Sequence, residues 1–332
     1  MNEYNVAIVG ATGAVGREMM SILENSKFPI KKPVLIASER SQGKLLEFRG
    51  EKIPVQTIKK GIFSDIDIAL FSIGSKLSSK YALQAVAEGA VVIDNSNAFR
   101  MDEKVPLVVP EINPDKIDEH NGIIANPNCS TIQMVLALYP LYREAGIERL
   151  VVSTYQAVSG TGMSAIKELK KQSRAYLDEK EIEKEVYPEQ IAFNVLPHID
   201  VFDNQGYTKE ERKVERETRK ILNDDQLRIT CTAARVPVFY GHSEAVNVEL
   251  KSDLKIEKLR NILSDQNGVT LMDSPEKEKY PHPLLVGNED RVMVGRIRRD
   301  FSQKRTYNLW IVANNLRKGA ALNAVQIAEK II

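Results

Sequence analysis

The feature that most constrains this 332-residue chain is a glycine-rich turn near its start. Residues 4–9 form an apolar, β-branched run that predicts a strand, Gly-Ala-Thr-Gly-Ala-Val-Gly follows at 10–16, and 17–23 have helical periodicity. Strand, glycine turn and helix in this order open a dinucleotide-binding fold, because glycine lets the backbone approach a pyrophosphate at the helix N-terminus. We therefore expect a nucleotide cofactor bound through Gly10, Thr12, Gly13, Ala14 and Val15.

Later segments repeat the alternation of strand and helix. Apolar runs at 34–37, 67–72 and 91–94 predict strands, and 78–88 predicts a helix. This alternation indicates an α/β fold with a Rossmann-type parallel sheet, which binds ligands outside the carboxyl ends of its strands. Three residues of the loops at those ends are candidate ligands, Ser72 and Gly74 for the cofactor and Arg100 for an anion.

The residues after the second strand bear on the choice between NAD and NADP. Enzymes that use NAD usually carry an acidic residue there, which binds the ribose 2′-hydroxyl. This chain has Ser38, Glu39, Arg40 and Ser41. A guanidinium with two hydroxyls suits a 2′-phosphate, so we expect NADP(H) bound by Ser38, Arg40 and Ser41. The alternative is that Arg40 is solvated and Glu39 binds the ribose of NAD.

The pattern changes after residue 127. Strands and two charged helices are predicted, the strands at 149–158, 229–235, 243–250, 292–298 and 308–312 and the helices at 163–184 and 207–222. We expect an α+β domain with a mixed sheet and helices on one face. The expected boundaries are 1–127 for the Rossmann domain, 314–332 for a C-terminal helix that completes it, and 128–313 for the second domain.

The residues around the first cysteine place it in a turn. Pro127 favours an extended chain before it, and Ser130 and Thr131 are typical helix caps. We therefore expect Cys129 at or just before a helix N-terminus, where the helix dipole favours a nucleophilic thiolate. The alternative is a small buried apolar residue, which is the role that we infer for Cys231.

Composition excludes several classes of protein. Two cysteines do not make a disulfide framework, and no pair among the four histidines has metal-ligand spacing with them, so we expect a reducing, cytoplasmic setting and no metal. A formal net charge of +1 indicates no nucleic-acid partner. No apolar run approaches the ~20 residues of a membrane span, and the N-terminus lacks a signal-peptide pattern.

Taken together, the motifs resemble the bacterial aspartate-β-semialdehyde dehydrogenase family from end to end. The most specific pieces are 10–16, Asn-Pro-Asn-Cys-Ser-Thr at 126–131, Tyr-Gln-Ala-Val-Ser-Gly at 155–160, Glu-Thr-Arg-Lys at 217–220, Arg235 with His242 seven residues later, and Lys-Gly-Ala-Ala at 318–321. The resemblance implies a Rossmann domain, a catalytic and dimerisation domain, and a homodimer or dimer of dimers. The helical insertion between Gly162 and Ile191 looks short, which puts the dimer contacts made there by relatives in doubt.

The resemblance also implies roles for single residues. Cys129 would be the nucleophile that forms an acyl-enzyme, and His242 the proton donor and acceptor. Gln156 would position the substrate near the thiol, and Asn128 would help to polarise the reacting carbonyl. The cofactor site would be completed by Ser159, Gly160 and Asn315.

Substrate binding follows in the same way from the resemblance. Arg235 would hold the α-carboxylate and Glu217 the amino group, while Arg100 and Lys220 would bind phosphate. The implied reaction is the reversible, NADPH-dependent conversion of β-aspartyl phosphate into aspartate semialdehyde and inorganic phosphate, in the biosynthesis of lysine, methionine, threonine, isoleucine and diaminopimelate.

Two other functions remain open at this point. N-acetyl-γ-glutamyl-phosphate reductase shares the fold and the thiol chemistry, but its substrate carries an acetylated amine, and an acid such as Glu217 suits a free ammonium instead. A catalytically silent NADP-binding regulator would show no effect of Cys129→Ala in any assay.

Overall fold

The structure, a computed structural model, describes residues 3–332. Its strands are β1 Tyr4–Val9, β2 Ile30–Ile36, β3 Leu45–Phe48, β4 Glu51–Pro54, β5 Ile68–Phe71, β6 Val91–Asp94, β7 Ile123–Ala125, β8 Ile147–Gln156, β9 Arg228–Arg235, β10 His242–Leu250, β11 Val269–Leu271, β12 Val292–Arg299 and β13 Thr306–Ala313. Its helices are α1 Ala14–Asn25, α2 Ser75–Ala87, α3 Cys129–Ala145, α4 Met163–Leu177, α5 Lys209–Leu222, α6 Ile256–Asp265 and α7 Leu322–Ile331. None of the described helices is long and apolar enough to cross a membrane.

The described chain forms two compact units. The first unit contains the residues up to Asn128 together with Ala320–Ile332, and the second unit is Cys129–Gly319. The divisions fall at 128/129 and 319/320, where the sequence led us to expect 127/128 and 313/314. The second division is later than expected because a loop follows β13. In this loop the Asn314 side-chain oxygen accepts hydrogen bonds from the backbone N–H groups of Leu316 and Arg317.

The first unit is built on a five-stranded sheet in the order β2-β1-β5-β6-β7, with every neighbouring pair parallel. The predicted Rossmann-type parallel sheet is confirmed. The inner strand β5 is fully buried, because helices cover both faces of such a sheet. Helix α7 supplies Ala324 and Ile327 to the same core. A short antiparallel hairpin of β3 and β4 was not predicted, since each strand has only four residues and several charges.

The second unit is built on a six-stranded mixed sheet in the order β11-β12-β13-β10-β8-β9. The inner pairs are antiparallel and the outermost pairs parallel, which confirms the predicted mixed sheet. Helices α3, α5 and α6 pack on the sheet, and α3 is buried nearly all round because α5 and α6 also contact it.

Three predicted helix ends are wrong. The C-terminal helix starts at Leu322 after a π-helical turn, Arg317–Ala321, rather than at 314. Helix α4 ends at Leu177 instead of 184, because Glu179 takes a left-handed φ of 54° that a helix cannot continue through. The predicted caps Ser130 and Thr131 are buried residues inside α3.

Candidate active site

The predicted nucleophile is placed as expected, since Cys129 is the first residue of α3 and is partly exposed. The positive end of the helix dipole at this position favours a thiolate. Gly319 lies against it: a Cβ added to Gly319 would come 2.9 Å from the Cys129 Cβ. Glycine at 319 therefore keeps a side chain away from Cys129.

The backbone of one residue, Ala157, contacts two of the predicted residues. Its N–H donates to His242 Nδ1 at 3.0 Å, and its carbonyl accepts from Arg235 Nη1 at 2.7 Å. Strand pairing makes this possible, because Gln156 at the end of β8 is paired with Arg235 on β9. His242 is the first residue of β10.

The His242 ring is held in one neutral form. Burial, with the Arg235 guanidinium as the next cause, lowers the pKa of His242 to about 3 against the opposite effect of Glu210. Because Nδ1 accepts a hydrogen bond, the ring proton sits on Nε2. Nε2 is buried and has no hydrogen-bond partner in residues 3–332. The ring therefore presents a polarised N–H to a ligand.

Gln156 joins the start of α3 to α5. Its side-chain nitrogen lies 3.0 Å from Ser130 Oγ and 3.1 Å from Glu210 Oε1. The other Glu210 oxygen is 3.1 Å from Lys213 Nζ, which also contacts Asp200 at 2.9 Å. The site thus contains a buried carboxylate with a paired lysine that sequence analysis did not name.

The reason for the omission is a repeat on α5. Glu-x-x-Lys occurs at 210–213 and again at 217–220, seven residues later and so on nearly the same helix face. Glu217 is fully buried and Lys220 half-buried, about 10 Å further along the helix axis. Gln156 bonds to Glu210 and not to Glu217. Glu210 is also an acid in the first turn of α5, next to the capping box of Thr208 and Glu211, and acids are common at such positions for structural reasons.

The second-unit residues predicted for the cofactor adjoin this site. The Asn315 side-chain oxygen accepts from Ser159 Oγ at 3.1 Å and from the Gly241 N–H at 3.0 Å. Its Nδ2 is buried and, among the described residues, has no partner. Gly160 has no room for a side chain, since a Cβ there would lie 3.0 Å from Arg235 Nη1 and 3.3 Å from His242 Nε2.

The glycine-rich turn of the first unit borders a separate cavity of about 570 Å³. A Cβ on Gly10 would lie 2.2 Å from the Ser72 carbonyl oxygen, and one on Gly16 would lie 2.2 Å from the Gly10 carbonyl oxygen. Gly10 also has a φ of 96°, which favours glycine. Positions 10 and 16 of the turn therefore have room only for glycine.

The cavity contains part of the predicted cofactor set. The predicted residues that line it are Gly10, Thr12, Gly13, Ser38, Arg40 and Ser72. Ala14, Val15, Ser41 and Gly74 lie outside its lining. Glu39, Thr57 and Tyr81 also line it, and sequence analysis had no signal for the last two because they follow no motif.

Arg100 and Asn128 are both buried in the first unit. The Arg100 guanidinium donates to the carbonyl of Asn126 at 2.8 Å and to that of Asn95 at 2.7 Å. It therefore fixes the loops that leave β6 and β7, next to Asn128. No cluster of three or more histidine, cysteine or acidic side chains in residues 3–332 is arranged to hold a metal ion.

Comparison with known proteins gives the same assignment in both units. Residues 5–120 match the family described as semialdehyde dehydrogenase, NAD binding domain, and residues 138–318 match semialdehyde dehydrogenase, dimerisation domain. An aspartate-semialdehyde dehydrogenase of Aquifex aeolicus is 52% identical over 99% of this chain and 98% of its own. One of Legionella pneumophila is 53% identical over 98% and 94%. The chain belongs to the aspartate-semialdehyde dehydrogenase family.

Solved structures of the family agree with this assignment. Aspartate semialdehyde dehydrogenase II of Vibrio cholerae, complexed with ASA, has a TM-score of 0.97 and 48% identity, covering 100% of this chain and 98% of that one. The enzyme of Candida albicans with NADP has a TM-score of 0.79 and 25% identity, covering 99% and 98%. As a family member the protein is an oxidoreductase with an NAD(P)-binding domain, and its relatives act in amino-acid biosynthesis.

Proposed function

We propose that the chain catalyses the reversible, NADPH-dependent reductive dephosphorylation of β-aspartyl phosphate to L-aspartate 4-semialdehyde, through a thioacyl-enzyme on Cys129. The reaction would serve the synthesis of lysine, methionine, threonine, isoleucine and diaminopimelate. The observation that carries the proposal is the assembly, in one unit, of a thiol at a helix start and a neutral histidine with an unpartnered Nε2. The relative of Vibrio cholerae, complexed with ASA, supports it.

The first step is acyl transfer to sulfur. The Cys129 thiolate attacks the β-carbonyl of the acyl phosphate, the carbon–oxygen bond to phosphate breaks, and inorganic phosphate leaves with the bonding electrons. The thioester that remains is more electrophilic than a carboxylate, so a difficult reduction is divided into two easier steps. Asn128, immediately before the thiol, is proposed to polarise the carbonyl.

The second step is reduction of the thioester. Bound NADPH supplies the hydride for it. The His242 Nε2–H is proposed to donate a hydrogen bond to the oxyanion of the resulting thiohemiacetal. Collapse of that oxyanion forms the aldehyde and returns the Cys129 thiolate, so no proton is left over. The ring suits this role because the hydrogen bond that Nδ1 accepts from Ala157 keeps the proton on Nε2.

Substrate binding is proposed to use the opposite charges near Gln156. Arg235 is buried, keeps its Nε without a partner in the described chain, and suits the α-carboxylate. Glu210 suits the α-ammonium, because it is buried and contacts Gln156, and Lys213 holds one of its oxygens. We therefore propose Glu210 for the amino group in place of Glu217, which lies two turns away on α5. Arg100 and Lys220 remain the proposed phosphate ligands.

We propose NADP(H) as the cofactor of the first-unit cavity. The residues of this cavity fit a dinucleotide, because glycine at position 10 leaves the turn open to a pyrophosphate. Arg40 and Ser38 line the cavity and suit a 2′-phosphate, although Glu39 lines it as well. The NADP in the Candida albicans relative supports this choice.

The domain roles follow from these proposals. The first unit would bind the cofactor, and the second would carry catalysis and dimerisation in a homodimer or dimer of dimers, which the matched dimerisation domain supports. We propose a cytoplasmic location, consistent with two cysteines that form no disulfide.

A spectrophotometric assay tests the proposed function. The protein is mixed with aspartate semialdehyde, phosphate and NADP, and NADPH is followed at 340 nm, with Cys129→Ala and Cys231→Ala alongside. We expect phosphate-dependent NADPH formation that is lost in Cys129→Ala and kept in Cys231→Ala. Turnover with N-acetylglutamate semialdehyde, but not with aspartate semialdehyde, would keep the mechanism and show that the proposed substrate is wrong. Silence with both aldehydes, despite NADP binding, would contradict the proposal.

A further inference from the structure

A second buried carboxyl group lies beside the catalytic residues and has no place in the mechanism above. Glu244 is on β10, two residues after His242, and its side chain is fully buried. Residues two apart on a strand share a face. Ala245 and Asn247, of the other parity, line a cavity on the opposite face of the sheet. Glu244 and His242 therefore both face the helix layer, where α3 packs against β10.

The groups that face the Glu244 carboxyl come from the first turn of α3, which begins at Cys129. They are the hydroxyl of Ser130 and the amide of Gln133, and both act to lower its pKa. Both Glu244 oxygens are buried, and neither has a hydrogen-bond partner within residues 3–332. Gln133 Nε2 also donates to the His242 carbonyl at 3.4 Å, and Ser130 Oγ accepts from Gln156. The carboxyl thus lies where α3 and β10 are joined.

The surroundings make Glu244 a neutral acid. Burial raises its pKa well above the usual range, and no ion pair to it is present in the described chain. The thiol of Cys231 on β9 interacts with it and is itself held un-ionised by burial. A neutral carboxyl has both a donor and an acceptor, so it can bond to a hydroxyl and an amide at once.

We propose that Glu244 is a positioning residue, whose buried carboxyl packs between the first turn of α3 and the start of β10 and so fixes Cys129 relative to His242. Glu244 lies beside Ser130 and Gln133. Ser130 in turn bonds to Gln156, and Gln133 bonds to the His242 carbonyl. This role rests on the proposed function only for the identity of the reaction that the arrangement serves. A displacement of about 1 Å between reacting groups can cost about 100-fold in rate.

The test compares three substitutions in the full chain. Glu244→Leu removes the polar group that faces Ser130 and Gln133, whereas Glu244→Gln keeps a neutral donor and acceptor there. Glu249→Leu is the control, a buried glutamate on the same strand bonded to Gln303. We measure kcat and KM in the semialdehyde assay, the pH dependence of Cys129 alkylation by iodoacetamide with the site verified by mass spectrometry, and Tm.

We expect Glu244→Leu to lower kcat by about 30- to 100-fold with KM nearly unchanged, and to shift the pH midpoint of Cys129 alkylation. Glu244→Gln should recover most of both losses, and Glu249→Leu should cause neither. If Glu244→Leu does not fold, Glu244→Asp replaces it, with the acid withdrawn by one methylene. The proposal is overturned if kcat survives, if Gln is as damaging as Leu, or if Glu249→Leu loses kcat equally. Alkylation needs no turnover, so this readout remains decisive even if the proposed reaction is wrong.

Discussion

The two units differ in what shapes their sites, which is the absence of side chains in the first and contacts between side chains in the second. The first-unit cavity depends on side chains that are absent, since Gly10 and Gly16 have carbonyl oxygens where a Cβ would be. The second-unit site depends on side chains that are present and held by one another, as Gln156 is held by Ser130 and Glu210. We therefore expect an added methyl group to disrupt the first-unit site, and the loss of a charge or a hydrogen bond to disrupt the second-unit site.

The largest effect is expected from Gly10→Ala. The added Cβ would lie 2.2 Å from the Ser72 carbonyl, so the turn must move and NADP affinity should fall at least about 100-fold. Isothermal titration measures it. Gly89→Ala is the control, because Gly89 has a φ of 103° but no atom within 4 Å of the new Cβ. Unchanged affinity in Gly10→Ala would show that the turn does not carry the cofactor.

In the second unit, Glu210→Gln should raise KM for aspartate semialdehyde by about 10- to 100-fold, the value of a lost charged hydrogen bond to an ammonium. Glu217→Gln is the matched control, with the same spacing to a lysine on the same helix, and should change KM much less. Steady-state kinetics with both variants decides between them. The reverse order would return the amino-group site to Glu217.

Arg40 is an exception to this contrast between the units, because it is a side chain of the first-unit cavity that we expect to bind the cofactor. Arg40→Ala should raise KM for NADP by about tenfold and leave KM for NAD unchanged, because only NADP carries the 2′-phosphate. The ratio of kcat/KM values for the two cofactors measures this. Equal losses for both would indicate that Arg40 is a general surface charge and that Glu39 selects the ribose.

The last prediction concerns the pH dependence of stability rather than ligand binding. His242 has a folded pKa of about 3 against an ordinary 6.5, so the folded state binds its proton less well than the unfolded state does. Its contribution is complete above pH 6.5 and is lost as the pH falls below that value towards 3. Between pH 7 and 5 the loss is about 2 kcal/mol.

Urea unfolding at the two pH values checks this expectation. His242→Asn should reduce the difference in unfolding free energy by that amount, whereas His198→Asn, outside the site, should keep the wild-type difference. An unaltered pH dependence in His242→Asn would mean that the histidine is not buried in its neutral form.

Sequence reasoning worked best where the evidence was local. The turn at 10–16, the strand before it and the helix after it lie within one short stretch, so spacing alone indicated their arrangement. The placement of Cys129 at a helix start was local in the same way. The hairpin of β3 and β4 was missed because its strands are short and charged.

Sequence reasoning was weakest where strand register decides the contacts. The Ala157 backbone bonds to Arg235 and His242 only because β8 pairs with both β9 and β10. Nothing in the residues around Ala157 indicates this pairing. Glu210 and Glu217 have the same local pattern, and only the packing of α5 distinguishes them. Glu244 has no motif at all and is visible only through its burial.

The most direct test of the acyl-enzyme is a reaction without phosphate. The protein is mixed rapidly with aspartate semialdehyde and NADP, absorbance at 340 nm is followed, and the quenched protein is digested for mass spectrometry. The account requires a burst of about one NADPH per active site and an aspartyl thioester on the peptide that contains Cys129. The absence of a burst, or an adduct on Cys231 instead, would contradict it.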